Sequence, residues 1–417
     1  MVTLRQYQKE IAAKAFEILK RTGIVYLALE VRTGKTLTAL HAAELYGAKK
    51  VLFLTKKKAI KSITDDYAAL KPSFHLTVIN NESMHTITDN DFDLLISDEH
   101  HRNSAFPKPN KSAKAIRERF GHLPHIYLSG TPAIESGSQW FHSFWTSNHS
   151  PFKNYRNFYD WAKTYTEPKI KHFGALQVRD YSCSIDDKIL PIVEPYLIRF
   201  TQEQAGFKTT ITENVIYHPL TRLCESLIKR LMSDLVIEGK EQTIFADTPV
   251  KLMSKVHQLE GGSIIFESGE SRILSDDKAQ FIKDKFQGKK LAIFYFFKKE
   301  YEVLKAVFGD SLTDDLNEFN TTGKHIALQQ VSGSEGLSLK AADALIYYSF
   351  GYSGKFYTQG RDRLTVMDRE ENNVYFVFAK GSLSERIYKT IKAKKQYNAK
   401  IFEREYRPNF NNKISKV

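Results

Sequence analysis

The chain has 417 residues, of which 42% are hydrophobic and 26% are charged, a balance that is ordinary for a soluble globular protein. Its length predicts two or three domains, each large enough to bury its own core. The sequence has no apolar stretch of membrane-spanning length and no apolar leader with a cleavage site, so we expect a cytoplasmic protein without a membrane partner. The formal net charge of +13 favours a polyanionic partner.

An apolar run at residues 24–29 predicts a buried parallel strand, and leucines at helical spacing in residues 37–45 predict a helix. The loop between them ends in Gly-Lys-Thr at residues 34–36. A loop between a strand and a helix N-terminus gathers backbone N–H groups, which suits polyphosphate. We therefore predict that Lys35 reaches the terminal phosphates of a nucleotide and that the Thr36 hydroxyl binds magnesium.

This loop departs from the general phosphate-binding pattern at two positions. Leu29 occupies a position where the pattern has glycine, and Arg32 occupies one where many such loops have glycine. Arg32 is either a surface charge or a phosphate contact. A Gly-Lys-Thr tripeptide alone is also compatible with an ordinary helix start.

Another apolar run, residues 94–97, is followed by Asp98, Glu99 and two histidines. Because ligands bind at the carboxyl ends of strands in open α/β sheets, we predict that Asp98 coordinates magnesium and that Glu99 orients or deprotonates a water molecule. The alternative is an exposed acidic turn. A zinc site is disfavoured because consecutive residues point in different directions and the usual ligand spacings are missing from the sequence.

Residues 139–205 interrupt the alternation of strands and helices that precedes them. Their aromatic residues recur at helical spacing, which predicts a packed, mainly α-helical insertion. Three interleaved basic residues, Lys153, Arg156 and Lys163, leave open a surface on which nucleic-acid bases stack. Aromatic residues at this spacing more often form a core.

Three further segments have a recognisable pattern. Residues 169–181 around Gly174 and residues 263–274 around a Ser-Gly pair predict small β-hairpins. Each hairpin is either a surface addition or a wing that meets a DNA branch. The last forty residues predict a basic helix and tail, which braces the domains or touches phosphates. Its lysines include Lys389, Lys392, Lys394, Lys395 and Lys400.

Seven segments, in order, give the chain a resemblance to the superfamily 2 helicases and translocases of the DExH or DEAH-box type. The nearest branch is Swi/Snf-like, in a compact phage or bacterial form such as a phage branch-migration or fork-remodelling helicase. The segments are Leu-Arg-Gln-Tyr-Gln (4–8), the Gly-Lys-Thr loop, Asp-Glu-His-His (98–101), Leu-Ser-Gly-Thr-Pro (128–132), the apolar run 291–296, Ser-Gly-Ser-Glu-Gly-Leu-Ser-Leu (332–339) and Gln-Gly-Arg-Asp-Arg (359–363).

The resemblance implies roles for particular residues. Contacts with the nucleotide are implied for Arg5, Gln8, Arg32, Thr33, Gly34, Lys35, Thr36, Asp98, Gly336 and Gln359. Contacts with the nucleic-acid backbone are implied for Thr55, Lys56, Lys57, Ser129, Thr131, Ser332 and Ser334. The last motif is more compact than is usual, and either Arg361 or Arg363 serves as the arginine finger. We favour Arg363 for the finger and Arg361 for a supporting role.

The predicted fold class is α/β, with two RecA-like parallel-sheet motor domains in tandem, a helical insertion and small β-hairpin additions. The predicted boundaries are 1–138 for the first motor domain, which binds ATP, 139–205 for the insertion, and 206–417 for the second motor domain with its basic C-terminal helix.

The predicted function is that of an ATP-dependent DNA helicase or translocase, which uses ATP and Mg²⁺. We expect a monomer that acts on duplex, forked or branched DNA in replication, recombination or repair, within a bacterial or phage-infected host cell. An RNA helicase and the motor of a restriction complex are alternatives of the same class. A nucleic-acid-binding protein that does not hydrolyse ATP is the alternative from another class.

Overall fold

The computed structural model describes residues 3–88, 91–133, 135–173, 176–208, 210–239, 241–333, 337–365, 369, 371–393, 397 and 401–402. The chain divides into two compact units, Met1–Phe207 and Lys208–Val417. The segment predicted as an insertion belongs to unit 1 in this division, and the boundaries at residues 138 and 205 stay predictions. In the described part of the chain, no helix combines the length and the apolar composition needed to cross a bilayer.

Unit 1 alternates strands and helices through most of its length. Its helices are α1 Gln6–Thr22, α2 Lys35–Tyr46, α3 Ile60–Leu70, α4 Lys111–Phe120, α5 Gln139–Trp145, α6 Phe158–Tyr165 and α7 Asp186–Val193. Its strands are β1 Ile24–Leu29, β2 Lys50–Thr55, β3 His75–Asn80, β4 Leu94–Ser97, β5 His125–Leu128, β6 Lys169–Phe173, β7 Leu176–Asp180 and β8 Leu197–Phe200. Short 3₁₀ turns are Lys57–Ala59, Asn81–Thr86, His100–Asn103 and Glu194–Tyr196.

Six of the described strands of unit 1 form one sheet in the order β3-β2-β4-β5-β1-β8. Every pairing in this sheet is parallel. All six residues of β1 are buried, as the continuous apolar run predicts for a strand covered on both faces. The carboxyl ends of β4, β5 and β1 are therefore neighbours at one edge, and the loops that follow these strands share that edge.

The aromatic segment of unit 1 is a packed layer over one face of this sheet. Trp140, Phe144 and Trp161 are buried, and they belong to one apolar cluster with Tyr26 of β1. The rings of Phe141 and Trp161 have centroids 5.5 Å apart. The prediction that these residues pack as a core is confirmed.

Unit 2 has a second sheet and two small hairpins. Its helices are α8 Arg222–Asp234, α9 Pro249–Glu260, α10 Asp277–Lys285, α11 Lys298–Phe308, α12 Leu316–Thr321, α13 Gln330–Gly333, α14 Gly354–Arg361 and α15 Leu383–Lys392. Its strands are β9 Thr210–Tyr217, β10 Val236–Glu238, β11 Thr243–Phe245, β12 Ser263–Ile265, β13 Ser271–Ile273, β14 Leu291–Tyr295, β15 Leu312–Thr313, β16 His325–Gln329, β17 Ala344–Tyr347 and β18 Glu371–Phe378. Its 3₁₀ turns are Gly309–Ser311 and Asp362–Leu364.

Six of the described strands of unit 2 also form one sheet, in the order β15-β16-β14-β17-β18-β9. All of its pairings are parallel. The predicted fold class, two parallel-sheet domains in tandem, is therefore confirmed. β9 is the first strand of unit 2 along the chain. It stands at one end of this strand order, so it is an edge strand of the described sheet and pairs there with β18.

Both predicted hairpins are present in the structure. β6 pairs with β7 and β12 pairs with β13, each in antiparallel register. Gly174, around which the first hairpin was predicted to turn, lies outside the described residues. β10 and β11 form a third antiparallel pair that the sequence pattern did not predict. Helix α15 is the described part of the predicted basic helix, and three of its predicted lysines, Lys394, Lys395 and Lys400, lie outside the described residues.

Candidate functional site

The loop between β1 and α2 has the predicted strand–loop–helix setting. Lys35 is the first residue of α2, and its Nζ donates to the carbonyl oxygens of Leu29 at 3.1 Å and Glu30 at 3.3 Å. Thr33 is buried, and its hydroxyl donates to the Glu30 carbonyl oxygen at 2.8 Å. The ammonium group of Lys35 therefore lies against the inner side of the loop, where a terminal phosphate would be bound.

Three residues of the site have a left-handed backbone. Gly34 has a φ of 79°, Arg32 a φ of 64° and Glu99 a φ of 49°. A Cβ on Gly34 would lie 2.0 Å from Gln8 Nε2, the end of a side chain that can move aside, so this position needs glycine chiefly for its backbone conformation. Arg32, which replaces a glycine of related loops, keeps the conformation that glycine adopts easily. Strained non-glycine residues of this kind concentrate at functional sites.

The start of α1 is attached to the phosphate-loop candidate. Gln8 is buried, its side-chain oxygen accepts the backbone N–H of Arg5 at 2.8 Å, and its Nε2 lies 3.5 Å from the Gly34 carbonyl oxygen. The Tyr7 hydroxyl donates to the Thr33 carbonyl oxygen at 3.2 Å. Arg5 and Gln8 are thus placed beside the loop, and their contact with a nucleotide stays a prediction.

Asp98 follows β4 and is held by the neighbouring strand. Its Oδ2 accepts a hydrogen bond of 2.9 Å from the hydroxyl of Thr55, the last residue of β2. Thr55 is buried, so little of it is exposed to a nucleic acid. The resemblance implied backbone contacts for Thr55, and no sequence pattern indicates this bond, because only the adjacency of β2 and β4 brings the two residues together.

The donor set at this edge fits magnesium, which prefers oxygen ligands and needs few from the protein. Burial and then repulsion from Glu99 raise the pKa of Asp98 to about 6, against the lowering effects of the Thr55 hydroxyl and the Lys35 charge. A carboxylate whose charge is disfavoured in this way is stabilised by a cation. Asp98, with the Thr36 hydroxyl at the start of α2, would hold the ion.

Glu99 lies beside a histidine that is hydrogen-bonded to the loop that follows β5. Its Oε2 lies 3.3 Å from His101 Nδ1, and the same ring nitrogen lies 2.9 Å from the Ser129 hydroxyl oxygen. The backbone N–H of Thr131 donates to this oxygen at 3.0 Å. Ser129 and Thr131, which were predicted to contact nucleic acid, therefore lie in the loop that is bonded to the Glu99 partner.

The predicted basic residues lie after β2. Lys56 precedes the 3₁₀ turn that begins at Lys57, and the Lys57 side chain is exposed. Because β2 is parallel to β4, these lysines are at the same sheet edge as Asp98. Their position is compatible with backbone contacts, which stay a prediction.

In unit 2, the two candidate arginines have different surroundings. Arg361 ends α14, 35% of its side chain is exposed, and its Nη1 donates to Glu213 Oε1 at 3.3 Å. Arg363 lies in the following 3₁₀ turn, is only 7% exposed, and its Nη1 donates to the Leu337 carbonyl oxygen at 3.3 Å. The bond between Glu213 and Arg361 was also missed, since nothing in the sequence pattern marks Glu213.

Of the other site residues predicted in unit 2, the structure describes the side chain of Gln359 only. Gln359 is buried in α14, and its side-chain oxygen accepts no hydrogen bond from the residues that the structure describes. Ser334 and Gly336 lie outside the described residues, and so does the side chain of Ser332.

Two solved structures of a Sulfolobus solfataricus SWI2/SNF2 ATPase core resemble this chain. The core in complex with dsDNA has a TM-score of 0.42 and 15% sequence identity, and the match covers 94% of this chain and 91% of that chain. The core domain alone has a TM-score of 0.41 and 15% identity, with 94% and 89% covered. No protein-family model and no curated protein matches the chain.

Proposed function

We propose that this protein is a nucleic-acid-stimulated ATPase that moves along DNA as a helicase or translocase. The observation that supports this most directly is the shared sheet edge of unit 1. Lys35 follows β1, Asp98 and Glu99 follow β4, and the Ser129 loop follows β5 between them. A cation for phosphates, a carboxylate for magnesium and a second carboxylate for water are the groups that ATP hydrolysis requires.

The chemistry follows from the positions of these groups. Lys35 would bind the terminal phosphates, and Thr36 and Asp98 would hold magnesium, which would supply charge neutralisation when bound. A water oxygen attacks the γ-phosphorus, the bond from phosphorus to the bridging oxygen of ADP breaks, and Glu99 accepts the proton that the water loses. The left-handed backbone of Glu99 and the 3.3 Å contact between its Oε2 and His101 Nδ1 set the direction of its carboxylate.

The same contacts support coupling between hydrolysis and nucleic acid. His101 bonds to Ser129, and the Thr131 N–H bonds to Ser129 as well. A nucleic acid that contacts this loop would act on Glu99 through the hydrogen bond between Ser129 and His101 and the contact between His101 and Glu99. Stimulation of hydrolysis by nucleic acid is the expected consequence.

The contacts in unit 2 favour Arg361 over Arg363 for the arginine-finger role. A finger needs an exposed guanidinium to reach a phosphate, and Arg361 is partly exposed whereas Arg363 is buried and bonded to the Leu337 carbonyl. We assign Arg361 to the nucleotide and Arg363 to support of the surrounding chain. This reverses the preference drawn from the sequence.

DNA is the proposed partner because the net charge is +13 and the exposed lysines after β2 share the edge of the site. Duplex, forked or branched DNA, in replication, recombination or repair, is the finer proposal, with the protein acting as a monomer. The resemblance of the sequence motifs to the Swi/Snf-like branch supports DNA over RNA.

The test is an ATPase assay with no nucleic acid, then with duplex DNA, single-stranded DNA, forked DNA and RNA, with Lys35→Ala as the inactive control. We expect hydrolysis that duplex or forked DNA stimulates most. Stimulation by RNA alone would replace the DNA proposal with an RNA helicase. Tight binding of DNA and ATP without hydrolysis would identify a non-hydrolysing binding protein.

A further inference from the structure

Glu213 of the edge strand β9 receives four side-chain donors from two helices. Its Oε1 accepts from the Tyr357 hydroxyl at 2.5 Å and from Arg361 Nη1 at 3.3 Å, both on α14. Its Oε2 accepts from the Tyr388 hydroxyl at 3.0 Å and from Lys392 Nζ at 2.8 Å, both on α15. Each carboxylate oxygen therefore accepts hydrogen bonds from one helix, Oε1 from α14 and Oε2 from α15.

The two helices present the same pair of residues to this carboxylate. In each, a tyrosine is followed four positions later by a cation, and this spacing puts both side chains on one helix face. The Arg361 guanidinium lies 5.2 Å from the centre of the Tyr357 ring, and the Lys392 ammonium lies 5.4 Å from that of Tyr388. Each tyrosine thus contacts both Glu213 and the cation of its own helix.

The carboxylate is charged and largely enclosed. Only 10% of the Glu213 side chain is exposed. Although burial acts to raise it, the pKa of Glu213 is lowered on balance by hydrogen bonds from Lys392, Tyr357 and Tyr388. Arg361 therefore faces a fixed negative charge, and charge-assisted bonds of this kind restrict direction more than neutral ones do.

We propose that Glu213 is a positioning residue that sets the direction of Arg361 and that shares its carboxylate between α14 and α15. The inference rests on the proposed function, in which Arg361 contacts the nucleotide. Glu213 itself touches no reacting atom in this proposal. Its effect on turnover passes through Arg361 only.

The kinetic test compares Glu213→Gln with Tyr388→Phe, which removes a bond to Oε2 and leaves the Oε1 bonds in place. We expect Glu213→Gln to lower kcat roughly tenfold to a hundredfold with little change in the KM for ATP, since misplacement of a catalytic group has costs of this order. Tyr388→Phe should change kcat much less. In an Arg361→Ala background, Glu213→Gln should cause no further loss.

An equal loss in both backgrounds, or an equal loss from both single variants, would overturn the positioning role and indicate a structural one. Circular dichroism and thermal unfolding check that each variant folds. If Glu213→Gln does not fold, Glu213→Asp takes its place, because it keeps the charge and withdraws it by one methylene. Glu213→Asp should lower kcat and leave the KM unchanged.

A second measurement does not depend on hydrolysis. Phenylglyoxal modifies exposed arginines, and mass spectrometry of the peptides gives the rate at Arg361, with the exposed Arg230 as internal reference. Glu213→Gln should speed modification at Arg361 only. If the wild-type protein fails to hydrolyse ATP but Arg361 becomes more reactive, the proposed function fails and the positioning role stands. If the wild-type protein hydrolyses ATP and Arg361 reactivity does not change, the positioning role fails alone.

Discussion

The hydroxyl of Thr55 lies 2.9 Å from Asp98 Oδ2, so the last residue of β2 holds the carboxylate that follows β4. This bond favours the ionised form of a carboxylate whose pKa burial raises. Thr55 is therefore a partner of the magnesium candidate in the proposed site.

Thr55→Val should raise the magnesium concentration needed for half-maximal ATP hydrolysis by roughly tenfold, as the loss of a partner behind a metal ligand commonly does. The substitution keeps the shape of the side chain and removes the hydroxyl. Magnesium titrations of the ATPase rate measure the effect, and Thr55→Ser is the matched control that keeps the bond. An unchanged magnesium requirement with weakened DNA binding would instead support the nucleic-acid contact predicted from the sequence.

Glu99→Gln should lower turnover by on the order of a hundredfold or more while ATP still binds, because the amide keeps the shape of the side chain but cannot accept the proton. Single-turnover hydrolysis and equilibrium binding of ATP separate the two effects. Asp98→Asn is the comparison, and it should weaken magnesium-dependent nucleotide binding. Equal loss of ATP affinity in both variants would show that Glu99 binds the nucleotide.

Arg32→Gly should give a protein more stable than Arg32→Ala by about 1 kcal/mol, because the φ of 64° is easy for glycine and strained for alanine. Both variants lack the arginine side chain, so their difference isolates the backbone. Denaturant unfolding gives the two free energies. The affinities of both variants for ATP show whether the Arg32 side chain contacts a phosphate. An equal fall in affinity identifies Arg32 as a phosphate contact, and an unchanged affinity identifies it as a surface charge.

Arg361→Ala should lower the maximal ATPase rate by on the order of a thousandfold with little change in ATP affinity, since a finger acts on the transition state. Arg363→Ala should instead destabilise unit 2 by about 1–3 kcal/mol, because it removes a buried donor from the Leu337 carbonyl. Rates, ATP affinities and unfolding midpoints of both variants decide between the roles. Loss of turnover in a stable Arg363→Ala protein would restore the preference drawn from the sequence.

Acidification should destabilise unit 1 through its buried histidines. Burial lowers the pKa of His125 and that of His142 to about 4, while an unfolded histidine titrates near 6.5. Between these values the unfolded chain binds a proton that the folded protein does not, so stability falls as pH decreases from about 6.5 towards 4. Each histidine should lower the free energy of unfolding by about 2 kcal/mol when the pH falls from 7 to 5.

His142→Phe tests this effect because its ring packs against Phe158 in a stacked arrangement that phenylalanine can reproduce. Between pH 7 and pH 5, the free energy of unfolding of the variant should fall by about 2 kcal/mol less than that of the wild type. Tryptophan fluorescence follows the unfolding of unit 1, since all three tryptophans, Trp140, Trp145 and Trp161, are in that unit. If the free energy of unfolding of the wild type and that of His142→Phe depend on pH in the same way, His142 does not contribute to the loss of stability in acid.

The sequence predicts the edge of the sheet in unit 1 because that edge follows from local patterns. An apolar run marks each strand, and parallel strands end at the same side, so these patterns alone place Lys35 and Asp98 at the same edge of the sheet. The bond from Thr55 to Asp98 depends on strand order instead. Periodicity does not state that β2 lies beside β4, so the role of Thr55 was missed.

The surroundings of Arg361 and Arg363 are a second feature that the sequence pattern does not predict. An extended Arg-Asp-Arg triplet would point both side chains the same way, but α14 ends at Arg361 and a 3₁₀ turn follows. The direction of each side chain then depends on distant partners, the Glu213 carboxylate and the Leu337 carbonyl. Such contacts arise from tertiary packing, and a local motif contains no information about them.

The place of β9 in unit 2 has a consequence for synthesis of the chain. β9 is made first in this unit, but Val215 pairs with Phe376 of β18, and β18 in turn pairs with β17. The ribosome must therefore release unit 2 as far as Phe378 before its sheet can be completed, and contacts of such long sequence separation form slowly. The sheet of unit 1 is completed by β8 beside β1 much earlier in translation. The half proposed to bind the phosphates can therefore fold while the half that contains Arg361 is still being made.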